Sequence, residues 1–366
     1  VIEAIEILRG EIALRSPFRT SFGVERSRGL LYVRVMGAGA EGWGECVAMR
    51  APSYSSEFVD GCEAVIRRFL LPLIDPNTRA ESFVDRARGV RGHPMAKAAL
   101  EAALLDYWLR IDGVSLADRL GATRDRVPAG VSVGIQPDVA GLLAVVSGYL
   151  DEGYLRIKLK IEPGHDVEAV RAVRREFGDD VLLQVDANAA YRVSDADHLA
   201  RLDEFGLLLI EQPLAEDDLV GHADLARRID TPVCLDESIT SVEVARGALD
   251  IGACSIINIK PGRVGGYLES VAIHDLCVER RVPVWCGGML ETGIGRAANL
   301  ALAALPGFTL PGDTSASDRY FEFDVTEPFI LDDGHVAVPS GPGIGREPLP
   351  AMLDSVVHSR KSIEWP

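Results

Sequence analysis

Residues 155–161, Leu155-Arg156-Ile157-Lys158-Leu159-Lys160-Ile161, alternate apolar and cationic side chains, the period of a β-strand. Successive side chains on a strand point to opposite faces. Arg156, Lys158 and Lys160 therefore share one face, with Ile157, Leu159 and Ile161 on the other. Two ammonium groups side by side on a strand, in a largely apolar chain, need a reason. The neighbouring strands supply it.

From about residue 128, short apolar runs alternate with segments of helical period. The runs are "VPAGVSVG", "LRIKLKI", "VLLQVDAN", "LLLIEQP", "TPVCLDES", "CSIINIKP" and "VPVWCGG", with a weaker one near "FTLPGD". Eight βα-like units in a row predict a closed parallel barrel. A doubly wound open sheet is the alternative, but it usually carries a glycine-rich turn after its first strand, and "VSVGIQPD" is not one. Residues 1–125 read differently. "AIEILRGEIALRS" and "GLLYVRVMGAGAEGWGEC" have the pattern of antiparallel strands, and "SSEFVDGCEAVIRRFLLPLI" and "GHPMAKAALEAALLDYWLRIDG" that of amphipathic helices. This is an α+β domain, followed by a barrel over 126–320. A loop-rich tail, 321–366, is expected to return to the first domain.

Five consecutive strands end in a charge: Lys160, Asp186, Glu211, Asp236 and Lys260, one every 24 to 26 residues. That interval is one βα unit, so the charges meet at the C-terminal mouth, where barrel enzymes build their sites. Salt bridges sealing a barrel end are the other use of such charges, but five at one repeat interval are hard to obtain that way. Three carboxylates on adjacent strands make a hard oxygen site, suited to Mg²⁺ or another divalent cation such as Mn²⁺. No histidine or thiolate joins them, which argues against zinc. A lysine lies on either side. The arrangement suits removal of a proton α to a carboxylate, with the cation and a lysine stabilising the resulting enediolate. A lysine base must be neutral, and Lys158 beside Lys160 pushes in that direction. Arg263, three residues after Lys260, is a candidate for lowering the pKa of Lys260, or else an anchor for its loop.

Composition narrows the alternatives. Of 366 residues 47% are hydrophobic, and 38 Lys and Arg against 55 Asp and Glu leave a net charge of −17. Such a surface repels nucleic acid and anionic membranes. The six cysteines form no CxxC pair and no zinc-finger spacing, so a reducing cytoplasmic setting is expected. The first residues have acids among the apolars and no basic leader, so they do not read as a signal peptide. No apolar run reaches the length of a membrane span. "GIGRAAN" and "GRVGG" lack a nucleotide-binding pattern and read as tight turns. A non-catalytic scaffold on the same fold would be expected to lose a carboxylate or a lysine, and none is missing.

The motifs "KLK", "QVDAN", "IEQP", "LDES" and "NIKPGRVGG" resemble those of the enolase superfamily, in its muconate-lactonizing-enzyme-like subgroup. With "PFRTSFG", "GWGEC", "YSSE" and "PVWCGGMLETGIGRAANLALAALPGFTLPGDTSAS", the chain is similar along essentially its whole length to the N-acylamino acid racemase / o-succinylbenzoate synthase family. The resemblance implies an α+β capping domain, completed by the C-terminal tail, on a (β/α)₇β TIM-like barrel. It implies a divalent cation on Asp186, Glu211 and Asp236, Lys160 and Lys260 as acid/base pair, and Lys158 near the substrate carboxylate. Asn188, expected on the strand face of Asp186, matches a polar contact to the intermediate. Ser132, Met289 and Leu290 match substrate-lining positions. Loops at Pro17–Gly23 and Met49–Glu57 are expected to close over the site, with Phe18, Met49 and Tyr54 as contacts. The expected partners are a small carboxylate substrate and further copies of the chain.

The family runs two reactions on one site: racemisation of N-acyl (N-succinyl) amino acids, and dehydration to o-succinylbenzoate, a menaquinone precursor. Racemisation is favoured here, because Arg263 beside Lys260 would favour a neutral second base. A mandelate-type site would show a late-strand histidine, where Gly287-Gly288 stand. A dipeptide epimerase would show a DxD pair, whereas Asp313 is followed by Thr314 and Ser315. His165, in "EPGHD", and the other histidines are given no part in the chemistry.

Overall fold

A computed structural model describes residues 1–364. The chain opens with β1 (Ala4–Thr20), β2 (Gly23–Gly37) and β3 (Ala40–Glu45), an antiparallel meander. β1 and β2 pair from Ala4↔Met36 to Ala13↔Ser27, shift register, and pair again from Phe18↔Glu25 to Thr20↔Gly23. The expected loop at Pro17–Gly23 is thus corrected: it is the closed end of a hairpin. The helix Pro94–Asp112 lies directly on β3. A Cβ on Gly42 or Gly44 would collide with the backbone of Ala99, Ala103 and Tyr107, which explains the glycines of "GWG".

The barrel follows. After the short β4 (Arg126–Pro128) come β5 (Gly130–Val133), β6 (Arg156–Lys160), β7 (Leu182–Asp186), β8 (Ile210–Glu211), β9 (Val233–Leu235), β10 (Ile256–Ile259) and β11 (Val284–Cys286). They form one parallel sheet in chain order. Its eighth place is taken by residues 308–313, which bridge Val284 through Phe308 on one edge and Ala129 through Gly312 on the other. Gly130 N donates to Gly312 O at 2.8 Å and Asp313 N to Cys286 O at 2.9 Å. The segment is no regular strand, and Pro311 within it has no N–H to give a ladder.

Of two short strands, β12 (Leu331–Asp332) pairs with β13 (His335–Ala337), which pairs with β4, and β14 (Val357–Glu364) runs antiparallel to β1. Buried polar contacts join the two sheets' layers. Glu45 accepts from Thr292 and Gly295, and Glu101 accepts from the amides of Tyr267 and Leu268. Among the described residues no helix is long and apolar enough to cross a membrane.

Candidate active site

The parallel register sets Lys160 beside Asp186 and Asp186 beside Glu211 across β6, β7 and β8. Asp236 and Lys260 stand one residue beyond β9 and β10. The strand face predicted for Arg156, Lys158 and Lys160 turns inward. Lys160 Nζ donates to Asp186 Oδ2 at 2.6 Å and Asn188 Oδ1 at 2.7 Å. Lys158 Nζ lies 2.6 Å from Asp313 Oδ2, 3.1 Å from Glu211 Oε2 and 3.4 Å from Asp186 Oδ2. Lys260 Nζ donates to Asp236 Oδ2 at 2.7 Å and to the Tyr54 hydroxyl at 3.3 Å.

These groups are almost wholly buried, so charge decides their protonation. Burial opposes the charge on Lys158, but Asp313, Glu211 and Asp186 outweigh it and raise its pKa. Burial is likewise outweighed at Lys260, where Tyr54, Glu211 and Glu237 hold the proton on. Asp186 and Asp313 fall below the ordinary carboxylate range, because nearby cations overcome the cost of burial. Glu211 moves up through burial and the charge of Asp186, although Lys158 reaches it. Lys158 is shared among three carboxylates, and Asp313 holds it most closely. Glu237 is pushed up to about 7 by burial and by Asp186.

Several expectations are corrected. Asn188 is not on the face of β7. It lies beyond the strand with φ of 42°, and this turn lets it accept from Lys160 and donate to Glu237 at 2.9 Å. Arg263 does not depress Lys260. Its guanidinium is bound to Asp236 and donates to Ile239 O at 2.6 Å and Asn258 O at 2.5 Å, so it anchors the loop and spends its charge on Asp236. Asp313, used in the sequence only to judge a missing DxD pair, is a full member of the cluster, and Arg156 binds its other oxygen at 2.9 Å. Glu237 was also missed. Its neighbour Asp236 carried the strand-end signal, and alternation would have put the two on opposite faces.

One pocket collects the other candidates. Phe18, Met49 and Tyr54 cover it from the first domain, and Ser132, Asn188, Met289 and Leu290 line it from the barrel with Lys158, Lys160 and Lys260. Thr20, Phe22, Glu25, Arg28, Asp313 and Tyr320 line it too. The roof residues Thr20 to Arg28 carry no strand-end signal, so only the hairpin's fold brings them in. Asp186, Glu211 and Asp236 lie beneath the pocket, and His165 pairs with Glu162 outside it.

Asp186, Glu211 and Asp236 are hard oxygen donors of the kind a divalent cation prefers. As the side chains stand, no three His, Cys, Asp or Glu groups among the described residues converge on a metal position. The lysines and Arg263 occupy their oxygens instead. Glu237 Oε2 and Asn258 Oδ1, beside them, are buried acceptors without a hydrogen-bond partner among the described residues. Unsatisfied acceptors next to a carboxylate trio fit an added cation.

Residues 142–352 match the enolase C-terminal domain-like family, and residues 3–121 match the mandelate racemase / muconate lactonizing enzyme N-terminal domain. The chain belongs to the enolase superfamily. It is 59% identical over 361 residues to an N-succinylamino acid racemase of Amycolatopsis sp, covering 98% of both chains. It is 51% identical over 348 residues to an o-succinylbenzoate synthase of Geobacillus stearothermophilus, covering 94% of this chain and 92% of that one. A solved enolase-superfamily member from Listeria innocua superposes with a TM-score of 0.95 at 38% identity, over 99% of each chain. Superfamily members depend on a divalent metal, and the two-domain architecture of this chain is theirs.

Proposed function

We propose that this enzyme racemises N-acylated, above all N-succinylated, amino acids by 1,1-proton transfer between two lysines. The observation that carries the reading is the placement of Lys160 and Lys260. With residues 308–313 counted as the eighth place, β6 and β10 stand four places apart in a ring of eight. Their lysines therefore face each other across the pocket they both line. A substrate carbon between them presents one face to each, so one lysine removes the α-proton and the other returns a proton from the opposite side.

A divalent cation such as Mg²⁺ or Mn²⁺, held by Asp186, Glu211 and Asp236, would supply Lewis-acid charge at the substrate carboxylate. The three lysines now hold the oxygens of those acids. Lys160 and Lys260 line the pocket from opposite sides and stand where one can take the α-proton and the other return it. Lys158, tied also to Asp313, keeps its partner and stays a cation facing the substrate carboxylate. Phe18, Met49 and Tyr54 cover the pocket and exclude water.

Dehydration to o-succinylbenzoate is the second reading, favoured by the 51% identical relative of that name. Syn elimination can use Lys160 as base and then acid, with Lys260 as a fixed charge. Six free buried cysteines suit a cytoplasmic enzyme. We expect a homo-oligomer.

NMR in D₂O with Mg²⁺ and each enantiomer of N-succinylphenylglycine tests the racemase. Deuterium should enter the α-position from both. If neither enantiomer exchanges while the hydroxycyclohexadiene dicarboxylate is dehydrated, the protein is a dedicated synthase.

A further inference from the structure

The pocket floor holds its cations in balance, whereas its roof does not. Arg28 on β2 is the arginine that lines the pocket, and it is 2% exposed. The other buried arginines show what a satisfied one looks like. Arg156, Arg174 and Arg263 each engage all three guanidinium nitrogens, and Arg156 and Arg263 also hold a carboxylate. Arg296 uses both terminal nitrogens and leaves Nε without a partner among the described residues.

Arg28 donates, among the described residues, only from Nη2, to Val47 O at 2.9 Å and Ala48 O at 3.5 Å. Nε and Nη1 find no acceptor, and no carboxylate lies within ion-pair distance among the described residues. A guanidinium that lines a pocket with unpartnered donors is completed by an anion bound there. Glu25, the roof's own carboxylate, is half exposed and does not reach it.

The roof thus offers an unpaired cation to a pocket whose floor is charge-balanced, and apolar Phe18, Phe22 and Met49 line the same pocket. We propose that Arg28 binds the carboxylate at the far end of the N-acyl group, so the site selects dicarboxylates whose second acid reaches the roof. This rests on the α-proton chemistry proposed above. It also fits the synthase reading, whose substrate carries two carboxylates.

The test compares N-succinylphenylglycine with N-succinamoylphenylglycine, in which a neutral amide replaces the far carboxylate at nearly equal size. The wild-type protein with Mg²⁺ should prefer the succinyl compound by about tenfold to a hundredfold in kcat/KM, mostly through KM. In Arg28→Met the ratio should collapse towards one, and Arg28→Lys should restore part of it. A wild-type ratio near one overturns the assignment, whether or not a variant folds. So does an unchanged ratio in Arg28→Met with both compounds slowed alike, since that is what loss of the Val47 and Ala48 contacts alone would give. Failure of both compounds to exchange in the wild type would instead overturn the racemase reading.

Discussion

On the proposed racemase reading, single residues divide the chemistry between two faces of one carbon. If Lys160 and Lys260 each serve one enantiomer, Lys260→Ala should stop racemisation but leave α-deuterium exchange from one enantiomer, with Lys160→Ala leaving the other. Loss of a positioned base costs about 10²–10⁴-fold. NMR on both enantiomers reads it, and equal loss from both in each variant would contradict the assignment. Asp313 has a structural burden instead. Lys158 and Arg156 both depend on it, and both are buried. Asp313→Ala should lose about 3–5 kcal/mol by urea denaturation, because it strands two buried cations. A loss under 1 kcal/mol would mean that the other carboxylates carry Lys158 alone. Lys160, Asp186, Glu211, Asp236 and Lys260 were legible in the sequence because each ends a periodic run at a fixed interval. Asp313 was not, because the Pro311 segment has no period, and Arg28 was not, because its role depends on what it fails to touch.

Elements meet through a few buried contacts, and that of helix Pro94–Asp112 with helix Tyr267–Arg280 is the most testable. Glu101 reaches across to cap the second helix through the amides of Tyr267, at 2.7 Å, and Leu268, at 2.9 Å. Gly266 makes room for it. A Cβ there would fall on the Glu101 carboxylate, and φ of 142° already disfavours other residues. "GRVGG" reads in the sequence as a tight turn, and that is correct locally, but its last glycine answers to a residue more than a hundred positions away. Gly266→Ala should cost about 3 kcal/mol or more, seen as a lower urea midpoint, and an unchanged midpoint would mean that the helices separate without loss. Burial pushes the Glu101 carboxyl up to about 8, against an ordinary value of 4.5, despite the two amides. The folded chain then holds that proton more tightly than the unfolded chain. Its stabilising contribution is full below about pH 4.5 and is lost as pH rises to about 8. Glu101→Gln should flatten the stability profile over that window, and an unaltered slope would show that Glu101 is ionised throughout.

At the scale of the whole molecule, the barrel holds the reacting groups and the first domain holds the cover. A barrel was legible because its strands repeat. That residues 17–23 cover it was expected from the family resemblance, but their hairpin form was not, because no local pattern tells a loop from a strand that continues past its sheet. β1 shows how the two parts are coupled. Its first half is paired on both sides, by β2 and by β14, while its far end bears on the barrel. There Arg19 binds Glu162 at 2.7 Å, Ile135 N donates to Arg19 O at 3.0 Å, and Ser21 Oγ donates to Ala187 O at 3.2 Å. Ending the chain after Val356 would remove β14 and leave the first half of β1 as an open edge, prone to pair with other chains. The lysines and acids would stay in place, since none of them touches β14. We therefore expect the shortened protein to melt several degrees lower, to aggregate more readily, and to raise KM more than it lowers kcat. Thermal unfolding with steady-state kinetics on N-succinylphenylglycine reads both. A fall in kcat at constant KM would mean that the cover shapes the reacting groups themselves, and that the division between barrel and cover does not hold.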